Sequence, residues 1–99
     1  MTYTFILKDE AVIDFSDAYA WYEEQKEGLG GEFRAEVFRK LQLICNNPLH
    51  YKKSYKNFHE ALTDRFPFLI VYTIDVTSSK IIVMAIFHTS RNPKKKFRK

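Results

Sequence analysis

The stretch Phe66-Pro-Phe-Leu-Ile-Val-Tyr-Thr-Ile74 contains no charged residue and is the strongest strand signal in this 99-residue chain. Because side chains alternate along a strand, one face is expected to carry Phe68, Ile70, Tyr72 and Ile74, and the other Leu69, Val71 and Thr73. Pro67 stands near the start, where a missing backbone donor is tolerated. Apolar residues on both faces predict a central strand whose first face meets helices. The second face then needs cover from the C-terminal segment or from a partner chain.

Other strand signals lie on either side of this stretch. They are, in chain order, Tyr3–Leu7, a weaker segment Tyr55–Leu62, and the β-branched run Ile81–Phe87. In the weaker segment, Phe58 and Leu62 are the expected buried points. Thr63-Asp64-Arg65 predicts a tight connection into the central strand, and Asp75–Lys80 a loop after it.

Two helices are predicted between the first and second strands. Their apolar stripes are Ala11, Phe15, Ala18 and Tyr22 in the first helix, and Phe33, Val37, Leu41 and Ile44 in the second. Asp9 and Glu10 suit the positive end of a helix dipole. Gly28-Leu-Gly-Gly31 indicates the turn between antiparallel helices, with the first helix ending at Gly28. Asn46-Asn47-Pro48 ends the second helix.

The resulting order, β-α-α-β-β-β, predicts one α+β domain over residues 1–99, with the helical hairpin packed on a mostly antiparallel four-stranded sheet. Cys45 is the only cysteine, which excludes an internal disulfide and fits a reducing cytosol. No Cys/His cluster has metal-ligand spacing, so we expect neither a metal nor a cofactor. The first residues lack signal-peptide features and no apolar run could cross a bilayer. We therefore expect a cytoplasmic protein without membrane contact.

Positive charge is concentrated at the C-terminus. Residues 91–99, which we call the basic tail, hold six Lys/Arg and no acid, whereas residues 1–90 hold ten Lys/Arg and twelve Asp/Glu. The net charge of +4 therefore comes entirely from the tail. This asymmetry favours an acidic protein or a polyanion as the partner, the alternative being a solvated chain end without a partner.

Residues with useful chemistry surround the last strand. His88 could exchange a proton near neutral pH, and Arg91 could bind phosphate in a bidentate fork. Alternatively, His88 caps the sheet edge and Arg91 pairs with a helix acid. His50 and His59 lack an acid or cysteine at useful spacing, so we predict that they are structural. The predicted target- or nucleic-acid-binding residues are Arg65, His88, Arg91, Lys94, Lys95, Lys96 and Arg98.

Several short pieces are spread along the whole chain. They are Ala20–Gln25, Gly28–Gly30 with Phe33, Ile44 with Asn47-Pro48, Arg65–Phe68 with Tyr72, and Ile86–His88 with Arg91–Pro93. Together they resemble the RelE/ParE superfamily of type II toxins. The resemblance covers nearly all of residues 2–95 and rests on the order and spacing of these pieces. It implies the same β-α-α-β-β-β fold.

The superfamily implies two different activities. RelE-like members cut messenger RNA on the ribosome, whereas ParE-like members poison DNA gyrase. The nuclease branch typically has an arginine within the third strand and a tyrosine or His-Tyr pair near the C-terminus. Here Leu69 and Phe97 stand at those positions, and only Arg91 matches a phosphate-binding arginine. The Trp-Tyr-Glu-Glu-Gln helix and the Phe-Pro-Phe strand entry resemble the ParE-like side. The resemblance therefore favours a non-catalytic gyrase inhibitor.

Two alternatives remain beside that interpretation. A RelE-like mRNA endoribonuclease would hold the scissile phosphate with Arg91 and move the proton with His88. An inactive toxin fold would serve only as a binding module. As a toxin, the chain is implied to bind a cognate ParD- or RelB-like antitoxin along the helical hairpin and the sheet. The resemblance also implies a role in plasmid or chromosome stabilisation, and leaves open a homodimer or a toxin–antitoxin hetero-oligomer.

Overall fold

The computed structural model describes residues 3–89, which form two helices packed on one face of a five-stranded sheet. The elements are β1 (Thr4–Leu7), α1 (Asp9–Gln25), α2 (Leu29–Asn46), a short 3-10 helix (Pro48–His50), β2 (Lys52–Lys53), β3 (His59–Leu62), β4 (Phe68–Asp75) and β5 (Lys80–His88). No helix in this part of the chain is long and apolar enough to cross a membrane. The predicted binding residues outside the described range are Arg91, Lys94, Lys95, Lys96 and Arg98.

The sheet is mixed, with the strand order β1-β5-β4-β3-β2. β1 runs parallel to β5, and the other neighbouring pairs are antiparallel. The predicted α+β class is confirmed, but the sheet has five strands rather than four. The additional strand is β2, whose backbone pairs with Glu60 and His59. Two lysines carry no apolar alternation, so side-chain patterns give no signal for this strand.

β3 begins four residues later than the predicted strand Tyr55–Leu62, because residues 55–58 form a turn closed by a backbone hydrogen bond. The side chains of β3 that face the helices are His59 and Ala61, which are both buried. The two predicted buried points are Phe58, which is half-buried, and Leu62, which is 55% exposed. The prediction for Leu62 is therefore wrong, since pairing with β4 fixes the register one residue away from it.

The connection between the two helices is shorter than predicted. α2 begins at Leu29, so Gly30 and Gly31 lie in its first turn, and the connection bends at Gly28, where φ is +89°. The carboxylate of Glu23 on α1 accepts hydrogen bonds from the N–H groups of Gly28 (2.8 Å) and Gly30 (2.9 Å). The first N–H groups of a helix have no intrahelical partner. Glu23 therefore ties the end of α1 to the start of α2.

Replacing Gly30 by alanine is expected to destabilise the protein by about 1–3 kcal/mol, the usual cost of overpacking. A Cβ at this position would lie 2.8 Å from the backbone oxygen of Tyr19 and 2.8 Å from Oε1 of Glu23, and a backbone oxygen cannot easily move away. Urea unfolding measures the change. The matched control is Gly31→Ala, where a Cβ meets nothing within 4 Å. This control is expected to be neutral or stabilising by up to about 1 kcal/mol. Equal behaviour of the two variants would contradict the close contact.

The main core lies between the helices and the sheet. All four predicted apolar residues of α2, Phe33, Val37, Leu41 and Ile44, are fully buried. From the first helix, Ala11, Ala18 and Tyr22 are buried, and Phe15 packs against them. From the sheet come Phe68, Ile70, Tyr72, Ile81, Val83 and Ile86. The predicted inner face of β4 is therefore confirmed.

One irregularity in β5 determines which way its last residues face. Its register against β4 leaves Met84 without a partner, which makes a β-bulge. Beyond the bulge, Ile86 packs into the helix-side core and Phe87 packs on the opposite face. The N–H of Ile86 donates to the carboxylate of Asp14 on α1 (3.0 Å). The bulge therefore leaves His88, the next residue after Phe87, on the helix side of the sheet.

Candidate functional site

Two of the predicted binding residues, Arg65 and His88, lie at the end of the sheet where β4 begins and β5 ends. We call this end the rim, defined as residues 63–67 together with His88 and Thr89. The two halves of the rim are joined by a hydrogen bond from the N–H of Thr89 to the carbonyl of Pro67 (2.8 Å). The described residues end at Thr89, and the basic tail follows in the sequence from residue 91.

The turn that enters β4 is organised by Thr63, which is only 2% exposed. Its hydroxyl donates to the carbonyl of Phe66, and the N–H of Phe68 lies 3.2 Å from the hydroxyl oxygen of Thr63. The N–H of Thr63 in turn donates to the carbonyl of Phe68 (2.9 Å). Because the turn satisfies its own buried polar groups, it is a rigid platform for the side chains at its tip.

Four charged residues of α2 hold the tip of this turn: Glu32, Glu36, Arg39 and Lys40. A carboxylate oxygen of Glu36 accepts the N–H of Arg65, whose side chain pairs with Glu32 at 2.6 Å. Arg39 and Lys40 both pair with Asp64, at 2.6 Å and 3.7 Å. This clamp was not predicted from the sequence. Its signal was the three- and four-residue spacing of these charges, which puts them on one side of the helix.

The clamp neutralises most of the charge in the described part of the rim. The hydrogen bond from Arg39 lowers the pKa of Asp64, and the nearby charge of Lys40 lowers it further. The same pair raises the pKa of Arg39. Since Arg65 is balanced by Glu32, the described rim has about as many acids as bases at its surface. The excess positive charge of the chain is therefore supplied by the basic tail.

The imidazole of His88 is half-buried at the end of β5. Its ring packs edge-on against Phe68, its partner across the ladder, with the ring centroids 5.4 Å apart. Beside them, the guanidinium of Arg65 lies over the ring of Phe66, 4.8 Å from its centre. His88 and Arg65 are thus both supported by aromatic rings of the core.

The face of the sheet opposite the helices is apolar where it approaches the rim. Leu69 lies opposite Phe87 in the ladder, and next to them Val71 and Ala85 are buried. Phe58 and Met84 pack against the same cluster. Leu69 is the position that matches the strand arginine of the nuclease branch, and it lies among apolar side chains. His88 lies on the other face of the sheet, so these two positions do not converge.

The helical hairpin carries several exposed apolar residues. The large apolar residues of α1 that remain at least one-third exposed are Val12, Ile13, Tyr19 and Trp21. Between the two helices lies a cavity of about 320 Å³, lined by Phe15, Ser16, Tyr19 and Arg34. Scattered apolar residues are normal on protein surfaces, but Val12 and Tyr19 share one side of α1 and Tyr19 lines the cavity, so this side is a candidate contact surface.

The remaining histidines and the cysteine are placed as follows. His50 is exposed, whereas His59 is 8% exposed. Cys45 is buried, which raises the pKa of its thiol. Within residues 3–89, no group of three or more His, Cys, Asp or Glu side chains could hold a metal ion.

Comparison with known proteins gives one family and several similar folds. The family model described as the ParE toxin of type II toxin–antitoxin systems matches residues 5–93. No curated protein sequence matches the chain.

Among solved structures, the chromosomal ParDE toxin–antitoxin system of P. aeruginosa is 11% identical, with a TM-score of 0.74 over 89% of this chain and 96% of that chain. A RelBE toxin–antitoxin complex of Mycobacterium tuberculosis is 16% identical, with a TM-score of 0.66 over 89% and 99%. A mutant of the E. coli toxin RelE in the free state is 12% identical, with a TM-score of 0.69 over 94% and 90%.

Proposed function

The chain belongs to the ParE toxin family of type II toxin–antitoxin systems, and from that premise we propose that it arrests growth by binding DNA gyrase without covalent chemistry. In this proposal it acts in the bacterial cytoplasm and helps to maintain the plasmid or chromosomal locus that encodes it. A cognate antitoxin keeps it inactive until the antitoxin is lost.

The observation that carries the non-catalytic proposal is that Leu69 and His88, the two positions that a nuclease would use together, lie on opposite faces of the sheet. Cleavage of RNA by its own 2′-hydroxyl needs a base, a phosphate-binding cation and an acid around one phosphate. Leu69 supplies no charge and lies in the apolar cluster with Phe87, whereas His88 packs against Phe68 on the opposite face. A protein inhibitor needs no such convergence, because its contacts can be spread over a surface.

The proposed contact surface for the target consists of the rim and the basic tail. Its residues are Arg65, His88, Arg91, Lys94, Lys95, Lys96 and Arg98. Since the clamp on α2 balances Arg65 with Glu32, the tail supplies the net positive field, and the rim supplies a rigid base for it. Such a field accelerates association with an acidic partner surface.

The antitoxin is proposed to lie along the helical hairpin and the sheet. Val12, Ile13 and Trp21 are exposed apolar residues of α1, and a disordered segment can bury such residues as it folds. Two of the structures with a similar fold are toxin–antitoxin complexes, which supports a hetero-oligomer of toxin and antitoxin. A homodimer of the toxin alone is the alternative assembly.

A RelE-like mRNA endoribonuclease is the second candidate function, and His88 is the observation that favours it. An imidazole at the end of β5 could move a proton if Arg91 held the phosphate next to it. A toxin fold without activity, used only as a binding module, is the third.

The His88→Ala variant separates these functions. For an inhibitor, we expect at most about a tenfold loss of potency in a gyrase supercoiling assay, because one half-buried side chain contributes only part of the binding energy. For a nuclease, we expect message cleavage on translating ribosomes to fall by about 10²–10⁴-fold, the usual contribution of a general acid or base.

The matched control is His50→Ala, since His50 is exposed and lies away from the rim. Unmodified protein that inhibits supercoiling and leaves labelled message intact would support the gyrase proposal. Site-specific cleavage that His88→Ala abolishes would overturn it. Neither effect, together with no growth arrest on induction, would indicate the binding module.

A further inference from the structure

A cavity of about 350 Å³ lies at the opposite end of β4 from the rim, about 17 Å further along the strand. β3 pairs with β4 only as far as the pair His59–Tyr72, whereas β4 continues beside β5 to Asp75. The edge of β4 is therefore left without a strand neighbour from Thr73 onward. The hairpin between β2 and β3 closes over this gap. The cavity is lined by Lys53, Asn57, His59, Thr73 and Ile74.

The imidazole of His59 is rigidly held, but only one of its two ring nitrogens is hydrogen-bonded within residues 3–89. The ring is only 8% exposed and stacks on Tyr72, with the centroids 5.3 Å apart and the planes within 16°. Nδ1 lies 3.2 Å from the carbonyl oxygen of Tyr51. Because a carbonyl only accepts hydrogen bonds, Nδ1 carries the proton. Within residues 3–89, Nε2 has no hydrogen-bond partner.

The support beneath His59 is equally well defined. The hydroxyl of Tyr72 donates to the carbonyl of Pro48 (2.6 Å), and its burial raises its pKa. Nε2 of His59 is not a buried unpaired atom, because it opens onto the cavity that the ring lines. A firmly held ring with one nitrogen open to a cavity is placed to meet a ligand there.

The other polar groups of the cavity select an anion. The ammonium of Lys53, the amide of Asn57 and the hydroxyl of Thr73 can all donate hydrogen bonds, and no carboxylate is among the residues that line the cavity. The nearest acids in sequence are engaged elsewhere. Asp75 accepts the N–H of Ser78 in the turn after β4 (3.3 Å), and Glu60 lies on the opposite face of β3, across from Val71.

We propose that this cavity binds the phosphate group of a phosphate ester, with Lys53 and the imidazolium form of His59, in which both ring nitrogens donate, as its principal donors. Phosphate offers several acceptor oxygens to the donors that line the cavity, and its charge pairs with the lysine. The volume lies near the lower end of the range for small-molecule sites, about 300–1,000 Å³. Room therefore remains for an organic group beside the phosphate, against the apolar wall made by Ile74. This site is separate from the rim and does not depend on the proposed gyrase inhibition.

Side-chain NMR of the three histidines tests the proposal directly. The full chain is titrated at constant ionic strength with inorganic phosphate, with adenosine 5′-monophosphate, and with a short oligothymidylate that lacks terminal phosphates. We expect the ring nitrogens of His59 to shift saturably, with tighter binding of the nucleotide than of inorganic phosphate. His50 and His88 are expected not to move. Tighter binding of the oligothymidylate than of the nucleotide would support the site with a nucleic-acid backbone as the source of the phosphate.

Two variants make the test sharper. Lys53→Gln is expected to weaken nucleotide binding by about tenfold or more, because it removes a charge-assisted hydrogen bond. Lys52→Gln is the matched control, since Lys52 is its neighbour in β2 but does not line the cavity, and we expect less than about a twofold change. The absence of a saturable His59 shift would overturn the proposal. So would equal shifts of all three histidines, or equal weakening by the two lysine variants.

Discussion

Replacing Phe33 by alanine is expected to destabilise the protein by about 3–5 kcal/mol, a large share of the total of about 5–15 kcal/mol for a domain of this kind. The Phe33 ring is fully buried and touches four other aromatic rings. Its centroid distances are 5.6 Å to Phe15, 5.3 Å to Tyr22, 5.6 Å to Phe66 and 4.9 Å to Phe68. The ring therefore joins both helices to the rim and β4, and no neighbour can move to fill the space without leaving another contact.

Urea unfolding with an unchanged m-value measures this effect. Phe33→Leu should recover most of the loss, because it restores much of the volume. Leu43→Ala on the same helix is the matched control, since Leu43 is 41% exposed and should cost less than about 1 kcal/mol. A loss below about 1 kcal/mol for Phe33→Ala would contradict the central role of this ring. Because Phe66 belongs to the rim, target binding should fall together with stability.

The parts of the fold that could be predicted are those in which the pattern of apolar side chains itself indicates which residues are buried. The apolar stripe from Phe33 to Ile44 keeps the helical period for more than two turns, and Phe68–Ile74 keeps the two-residue period of a strand. Both predictions are confirmed. β2 could not be predicted, because its place in the sheet depends on backbone pairing with β3. The prediction of which β3 residue is buried was wrong for a related reason. Leu62 is the more apolar candidate, but the hydrogen bonds to β4 bury His59 instead.

The candidate site could be predicted only in part. The sequence indicated Arg65 and His88, and the fold brings them to one rim. What the sequence did not reveal is that Arg65 is already paired with Glu32, a residue more than thirty positions earlier. Nor could it reveal that the bulge at Met84 turns His88 to the helix side, away from Leu69. Both facts depend on packing between distant segments, which a local pattern does not contain.

Replacing Lys94, Lys95 and Lys96 together by glutamine is expected to slow association with gyrase by about 10- to 100-fold at low salt, and so to relieve most of the growth arrest. Residues 1–90 have two more acids than bases, so the tail supplies the whole positive field that would steer the chain to an acidic surface. The change leaves every described contact of the fold intact. Stopped-flow association with purified gyrase, repeated over a range of salt concentrations, measures the effect.

If the tail acts only through its charge, the difference in association rate between the unmodified protein and the tail variant should disappear at high salt. Salt screens exposed charges beyond about 10 Å at 0.1 M, so both proteins should then associate with gyrase at similar rates. The dissociation rate should change much less. The matched control replaces the exposed residues Lys8, Lys26 and Lys52 by glutamine, which removes the same charge from other parts of the surface. An equal loss for this control would mean that the total charge matters rather than its concentration in the C-terminal segment. A loss for the tail variant that persists at high salt would mean that the three lysines make short-range contacts in the complex, and the steering argument would then be wrong.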